Sequence, residues 1–408
     1  MMARRRFLHD LAGAGLLAGT GAGWDMPLQA ADPKGWLQIW QTNLLKSARS
    51  RYCDTDMGEE IAWLISPFLN AFYYGWLVTR DRQWVQMFVD WSDSWIKRRV
   101  PEPDGFVGWP KTSAAGTDID GLNSFSADSL LGEAMALCPI VLMSGELHRD
   151  PALQADYSAK AASYLQLSGQ IFEKWDQRGA WRDLPDGKGI WINLPFGMDS
   201  TSKKWTVNYK RRNSPDLGFS YPANKANEIA CWHLAMFETT RQPVYKERAE
   251  RWFSLMKSRM TTREDGRYFV WNYWQPAGLW DKKPDDSPKH WIGVHPNGGY
   301  YAIDVMAIAT AYEHNLVFTK NDMDRLIATN RDFMWNRQLA GAKFQRIDGG
   351  PADNRWKDAP GVLWDSLAPY DKTLRDIFLA NNNPASWNGM SATPRFLARQ
   401  HAISVRHE

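Results

Sequence analysis

Apolar residues recur along this chain at spacings of three and four, in segments that come in pairs. Within each pair, a short polar turn such as RDPA, TRQP or FTKND separates the two segments. Four such pairs cover residues 58–99, 125–175, 222–260 and 296–336, and a fifth would bring 33–50 together with 390–400. The pattern predicts successive helical hairpins, which limits the chain to few folds.

Long segments without helical periodicity lie between the hairpins. They cover residues 100–125, 181–221, 266–293 and 341–388. Loops of this length are uncommon in compact domains unless they carry function. Alternating short and long connections predict an all-α (α/α) toroid, an incomplete barrel of about six to seven helical hairpins, with the long loops on its cleft face. A linear solenoid is the alternative, but its repeats keep a fixed period and short loops.

The first 31 residues differ from the rest of the chain. An arginine cluster, Phe7 and Leu8 precede a short Gly/Ala/Leu stretch that ends in small residues, and the whole resembles a twin-arginine export signal. We therefore predict a signal peptide over 1–31, a single catalytic toroid over 32–408, and a periplasmic or secreted location. The stretch is too short and too rich in glycine to span a membrane permanently, so we expect no integral membrane association.

The composition favours a glycan as partner. The chain holds 23 tryptophans and 13% aromatic residues, and a flat indole face matches the C–H face of a pyranose. The alternative is that tryptophans fill a large helical core. A formal net charge of +3 over 408 residues does not predict nucleic acid as a partner. The three cysteines, Cys53, Cys138 and Cys231, form neither a disulfide framework nor a zinc pattern, so we expect free thiols, no metal and no cofactor.

Two predicted inner helices begin with polar groups. HPNGGYYAID carries His295, Tyr300 and Tyr301, and PANKANEIACW carries Asn224 and Asn227. A tyrosine in the first turn would project its hydroxyl into the cleft, and amides beside a helix N-terminus would bind a carboxylate. Core tyrosines and ordinary helix capping are the alternatives. Either tyrosine of the pair could face inward, and Tyr301 is predicted to contribute to substrate binding.

Three histidines fall in plausible segments. His295 is preferred because it precedes the proline at the start of its helix, whereas His290 lies further from that start. His233 belongs to an apolar stripe and is predicted to be a core histidine.

A basic loop, TSKKWTVNYKRRNSP, lies between these helix starts. Its Lys204, Trp205, Arg211 and Arg212 could hold an acidic glycan by charge and ring contact, and Asn123 could bind a substrate carboxylate. A solvated loop is the alternative. These residues indicate an anionic polysaccharide as substrate.

Asparagine, histidine and tyrosine are the groups that β-elimination of a uronate polymer requires. The proton at C5 can be removed only when the neighbouring carboxylate is neutralised, which amide or imidazole donors can do. A tyrosine can then act as base, as acid, or as both in turn.

HPNGGYYAID, together with the asparagine-bearing inner helix, resembles the alginate and glucuronan lyases of polysaccharide lyase family 38. The resemblance implies cleavage of mannuronate- or glucuronate-containing chains, with Tyr300 as the principal acid/base. Asn224, Asn227 and His295 are the positions that could match the neutralising and helper residues. The Asn-His and Ser-Tyr-Trp motifs of family 5 alginate lyases are absent from this sequence.

Two other functions fit the same sequence. A toroid glycoside hydrolase, such as an unsaturated glucuronyl hydrolase or an endoglucanase, would use an inverting pair of carboxylates drawn from Asp118, Asp120, Asp128 and Asp304. A non-catalytic glycan-binding protein would need the aromatic residues and the basic loop alone.

Overall fold

A computed structural model describes most of the chain. It covers residues 33–102, 104–112, 125–194, 197–199, 218–264, 266–353 and 359–407. The predicted signal segment 1–31 lies outside these residues, so the periplasmic or secreted location stays a prediction.

Helices alternate between an inner and an outer position along most of the chain, except that two outer helices follow one another before the last inner helix. The inner helices are α2 (Ser66–Thr79), α4 (Leu130–Arg149), α6 (Ala223–Thr240), α8 (Gly299–Glu313) and α11 (Gly389–His407). The outer helices are α1 (Pro33–Ser47), α3 (Arg82–Lys97), α5 (Pro151–Gln177), α7 (Pro243–Arg259), α9 (Lys320–Ala328) and α10 (Lys372–Asn381). A π-helical turn, Ile61–Ile65, leads directly into α2, and a second one, Thr329–Met334, extends α9.

The inner helices form a ring. Helix α4 packs against α2 and α6, α6 packs against α8, and α11 packs against α2. Helices α11 and α8 meet through two arginines: Arg395 contacts the sulfur of Met306 at 3.0 Å, and Arg399 donates to the Thr310 hydroxyl at 3.0 Å. The predicted all-α (α/α) toroid is confirmed.

The inner helices are apolar around most of their circumference because neighbours surround them. Fifteen of the twenty residues of α4 are buried. Two helical segments, Ile61–Thr79 and Leu130–Arg149, are long and apolar enough to cross a membrane, but 67% and 83% of them are buried inside the fold. A helix that is apolar all round is expected in the core of a large protein as well as in a membrane, and the ring accounts for both segments.

Many of the tryptophans belong to this core, as the alternative interpretation of the composition predicted. Nine are essentially inaccessible to solvent: Trp40, Trp84, Trp91, Trp95, Trp109, Trp232, Trp252, Trp274 and Trp364. The three cysteines are free thiols, and Cys53 and Cys231 are buried.

The segments predicted to be irregular contain regular structure. The strands are β1 (Val100–Pro101), β2 (Val107–Gly108), β3 (Lys111–Thr112), β4 (Phe125–Ala127), β5 (Trp181–Leu184), β6 (Lys188–Asn193), β7 (Gly197–Asp199), β8 (Phe219–Ser220), β9 (Thr261–Arg263) and β10 (Tyr268–Val270). Strands β5 and β6 form an antiparallel hairpin whose turn holds Asp186 and Gly187 at φ 59° and 67°. Asp-Gly is a strong hairpin signal that the helical pattern concealed. Helix α10 likewise lies within the predicted irregular segment 341–388.

A buried cluster of charges ties α5 to the start of α4. Lys174 contacts Glu133 at 2.6 Å and Asp128 at 3.0 Å, and Arg178 contacts Asp128 at 3.1 Å and Glu102 at 2.7 Å. The side chains of all five residues are at most 1% exposed. We call these residues, with Asp104, the buried charge cluster. Burial and the neighbouring Asp128 raise the pKa of Glu102 to about 9, so Glu102 carries a proton at neutral pH.

His233 is a core histidine, as predicted. Its ring lies among Trp191 at 4.9 Å, Trp232 at 5.1 Å and Phe172 at 5.5 Å. Nδ1 is 2.9 Å from the carbonyl oxygen of Ile229 and therefore donates to it. Burial lowers the pKa of His233 from 6.5 to about 3, so the imidazole is neutral in the folded protein.

We expect His233 to make the stability depend on pH. The unfolded chain protonates this histidine below about pH 6.5 and the folded protein only near pH 3, so acid favours unfolding in between. The contribution is about 1.4 kcal/mol per pH unit over that range. Urea unfolding of His233→Gln between pH 6 and pH 4 should show a slope smaller by that amount. Replacing the exposed His148 by glutamine should leave the slope unchanged, and equal slopes in both variants would contradict the prediction.

Candidate active site

The N-terminal ends of four inner helices meet around one acidic turn. Gly58 lies in this turn, and its carbonyl oxygen would be 2.4 Å from a Cβ atom on Gly132 in the first turn of α4, so the two backbones are in close contact. The next residue, Glu59, accepts a hydrogen bond from the ammonium group of Lys225 in α6 at 2.7 Å. Burial and the negative charge of Glu59 raise the pKa of Tyr300 in the first turn of α8. We call the surface formed by Asp56, Glu59, Glu60, Lys225 and Tyr300 the mouth.

Three carboxyl groups of the mouth come from the segment DTDMGEE. The side chains of Glu59 and Glu60 are 15% and 28% exposed, while Asp56 is 5% exposed. Lys225 pairs with Glu59, and Lys111 of β3 pairs with Glu60. Asp56 and Glu60 contact each other, while Glu59 in the same turn pairs with a different lysine.

The environments of these carboxyl groups differ. Burial, followed by a hydrogen bond with Glu60, raises the pKa of Asp56. Asp56 and Glu60 can therefore share one proton and one negative charge, and Lys111 balances that charge. Glu59 pairs with a different ammonium group, that of Lys225. General acid and general base catalysis require one protonated and one ionised carboxyl group, and different surroundings can produce this difference.

An array of stacked rings borders the mouth. Tyr273 stacks on Tyr300 with centroids 5.4 Å apart and on Trp291 at 5.9 Å. His295 lies 4.7 Å from Tyr273 and 4.5 Å from Tyr300. We call Tyr273, Trp291, His295 and Tyr300 the aromatic rack.

The two predicted residues Tyr300 and His295 are thus brought together. Burial, followed by the charges of His290 and Arg346, lowers the pKa of His295 to about 4, so the imidazole is neutral. Its Nδ1 accepts a hydrogen bond from the backbone N–H of Asn297 at 3.0 Å.

Tyr301 does not belong to the mouth. Its ring is 2% exposed, and its hydroxyl accepts a hydrogen bond from the backbone N–H of His295 at 2.9 Å. The hydroxyl also donates to the carbonyl oxygen of Trp271 at 3.4 Å. Tyr301 supports the chain beneath the rack, which corrects its predicted role in substrate binding.

The two predicted asparagines point to different places. Asn224 lies in the first turn of α6 and is 1% exposed, and its Oδ1 has no hydrogen-bond partner among the described residues. Asn227 is fully buried, donates to Asp304 at 2.7 Å and accepts from the indole of Trp252 at 2.8 Å. The amide of Asn227 is thus engaged with Asp304 and Trp252 inside the core, and its catalytic role stays a prediction.

Two of the carboxylates predicted for a hydrolase, Asp304 and Asp128, lie among the described residues. Asp304 is buried and accepts from Asn227 and from Trp271 Nε1 at 2.8 Å, and burial raises its pKa to about 7. Asp128 belongs to the buried charge cluster. Neither carboxylate reaches the mouth, because each is enclosed by its hydrogen-bond partners.

The remaining predicted residues lie outside the described part of the chain. These are Asp118, Asp120, Asn123, Lys204, Trp205, Arg211 and Arg212. Across the described ranges, no group of three or more His, Cys, Asp or Glu side chains could hold a metal ion.

Sequence reasoning missed the acidic turn. Asp56, Glu59 and Glu60 precede the apolar run IAWLI, where acidic residues are ordinarily explained as complements to the helix dipole. Two adjacent glutamates at the start of the first inner helix were the available signal. Glu59 differs from Glu60 in having Lys225 as its ammonium partner, and Lys225 is 166 residues from Glu59 in the chain.

Comparisons with known proteins give a likeness at the level of the fold. No family model matches the chain, and no curated protein matches it. The chain is similar to two structures of the α-1,6-mannanase GH76A of Salegentibacter sp. HEL1_6, both inactive variants. In the complex with α-1,6-mannotetrose, identity is 12%, the match covers 90% of this chain and 99% of that chain, and the TM-score is 0.46. For the complex with α-1,6-mannotriose, identity and coverage are the same and the TM-score is 0.45.

These findings correct the expected relationship. The matching structures are mannanases, so the predicted resemblance to polysaccharide lyase family 38 is wrong, as are the lyase class and β-elimination of alginate or glucuronan. The geometry agrees, because the amide of Asn227 is engaged with Asp304 and Trp252 in the core.

Proposed function

We propose that this protein is a glycoside hydrolase that acts on a polysaccharide at the mouth of the ring. The observation that carries the proposal is the group of three carboxyl groups, Asp56, Glu59 and Glu60, in distinct electrostatic surroundings at the opening of the toroid. Hydrolysis of a glycosidic bond requires one carboxyl group that gives a proton and one that accepts a proton.

Glu60 is the proposed general acid. Its hydrogen bond with Asp56 supplies a proton that can move to the more exposed Glu60 oxygen. Glu60 then donates this proton to the glycosidic oxygen as the bond between that oxygen and the anomeric carbon breaks. The positive charge of Lys111 stabilises the carboxylate that Glu60 becomes.

Glu59 is the proposed general base. Its contact with Lys225 at 2.7 Å fixes the orientation of its carboxyl group. Glu59 takes one proton from a water molecule as the water oxygen forms a bond with the anomeric carbon. The sum of these steps is the addition of water across the bond, with no other reactant.

A panel of polysaccharides tests this function. The purified protein is incubated with α-1,6-mannan, other neutral glycans, alginate and glucuronan, while reducing ends and absorbance near 235 nm are followed together. We expect new reducing ends on a neutral glycan without a rise in ultraviolet absorbance, because hydrolysis leaves no conjugated double bond. A rise in absorbance, or no new reducing ends on any glycan, would overturn the proposal.

A further inference from the structure

The aromatic rack presents one large ring to solvent. Trp291 is 45% exposed and stacks almost parallel on Tyr273, with an interplanar angle of 14°. Tyr273 in turn stacks on Tyr300 at an angle of 25°. The exposed indole is therefore connected to the mouth by a continuous series of rings.

The backbone holds Trp291 in this position. The backbone N–H of Tyr273 donates to the carbonyl oxygen of Gly293 at 2.8 Å, which joins the segment that carries Tyr273 to the segment that carries Trp291. A Cβ atom on Gly293 would lie 2.8 Å from the indole ring, so only glycine lets the ring lie this close to the backbone. Gly293 thus permits this orientation of the indole ring.

The exposure of Trp291 is unusual for this protein. The exposed large apolar side chains of the described residues are Ile39, Val100, Leu279, Trp291, Ile292 and Leu339. Trp291 is the aromatic member of this set, and its neighbour Ile292 is 49% exposed. A ring left half in water contributes less to folding than a buried one, while it offers a flat apolar surface to a ligand.

Three of the cationic side chains near the rack are paired with carboxylates. Lys225 pairs with Glu59, Lys111 with Glu60, and Arg346 with Asp348 at 2.6 Å. The low pKa of His295 leaves its imidazole without charge at neutral pH. This surface therefore favours a ligand without charge.

We propose that Trp291 and Tyr273 form a binding subsite for an uncharged pyranose unit of the substrate. The C–H face of the sugar ring packs on the exposed indole, while its hydroxyl groups remain in water. Because the rack leads to Tyr300 and Glu59, the bound unit lies next to the bond that is cleaved. The proposal rests on the proposed function and adds the position and the charge class of the sugar it binds.

Binding measurements on the full chain test this subsite. Calorimetric titrations use the Glu59→Gln protein with a neutral mannose hexasaccharide and with a mannuronate hexasaccharide. We expect Trp291→Ala in this background to raise the Kd for the neutral sugar about tenfold, and Trp291→Phe to restore most of the affinity. Leu279→Ala is the matched control, because Leu279 is 66% exposed in the same segment and lies outside the rack. It should leave the Kd unchanged.

The same variants separate the subsite from the hydrolase function. In the protein with Glu59 intact, Trp291→Ala should raise KM on a hydrolysed neutral glycan while kcat changes less than threefold, as expected for an interaction present in both ground and transition states. An unchanged Kd and KM in Trp291→Ala, or tighter binding of the mannuronate sugar, would overturn the subsite and leave hydrolysis intact. Binding that depends on Trp291 in a protein that hydrolyses no glycan would support the subsite and overturn the proposed function.

Discussion

Replacing Glu59 by glutamine should lower kcat/KM on the hydrolysed polysaccharide by about 10³-fold, within the range observed for the loss of a general base. Glutamine has the same shape, and its amide oxygen can still accept the hydrogen bond from Lys225. The change therefore removes the ability to take a proton while keeping the fold of the mouth. Initial rates of reducing-end formation at several substrate concentrations measure the effect.

Glu247→Gln provides the matched control for this loss. Glu247 pairs with Arg251 on the outer helix α7 and its side chain is 64% exposed, far from any residue of the mouth. This variant should keep the rate of the unsubstituted protein. A Glu59→Gln protein within tenfold of that rate would place the base elsewhere and remove the assignment of Glu59.

Replacing Lys174 by methionine should lower the free energy of unfolding by about 4 kcal/mol. Methionine keeps most of the apolar length of the side chain but leaves Glu133 and Asp128 without their ammonium partner. Burial of a carboxylate carries an unfavourable desolvation free energy, and without its ammonium partner no electrostatic attraction compensates it. Urea unfolding, followed by circular dichroism, measures the change.

Lys160→Met in the same helix tests whether burial is the cause. Lys160 pairs with Asp93, and the two side chains are 37% and 42% exposed. Water already solvates both groups, so we expect a loss below about 1 kcal/mol. Equal losses in the two variants would show that the buried charge cluster does not depend on the ammonium of Lys174.

The architecture could be predicted from the sequence because it follows from local patterns. Helical periodicity, polar turns and the alternation of short and long connections are all written in consecutive residues, and they led to the toroid. The assignment of His233 to the core rested on the same kind of evidence, since its neighbours along α6 are apolar. The hairpin β5–β6 was not predicted because its strands are short and lie in a segment that lacks helical periodicity.

The site could not be predicted in the same way because it is formed by residues far apart in the chain. Helix α6 is buried on nearly every side, so its periodicity does not distinguish Asn227, which faces the core, from Lys225, which faces the mouth. Tyr300 and Tyr301 are adjacent and chemically alike, and only the packing under the rack separates them.

The π-helical turn Ile61–Ile65 affects the direction in which the side chains of Glu59 and Glu60 point. A π turn accommodates one residue more than an α turn does, so it changes the angular position of everything that precedes it relative to α2. Deleting one residue there would swing Glu59 and Glu60 by about 100° around the helix axis. The direction of both carboxyl groups thus depends on the number of residues in the apolar segment that follows them. An insertion or deletion in that segment would redirect the chemistry without altering any acidic residue.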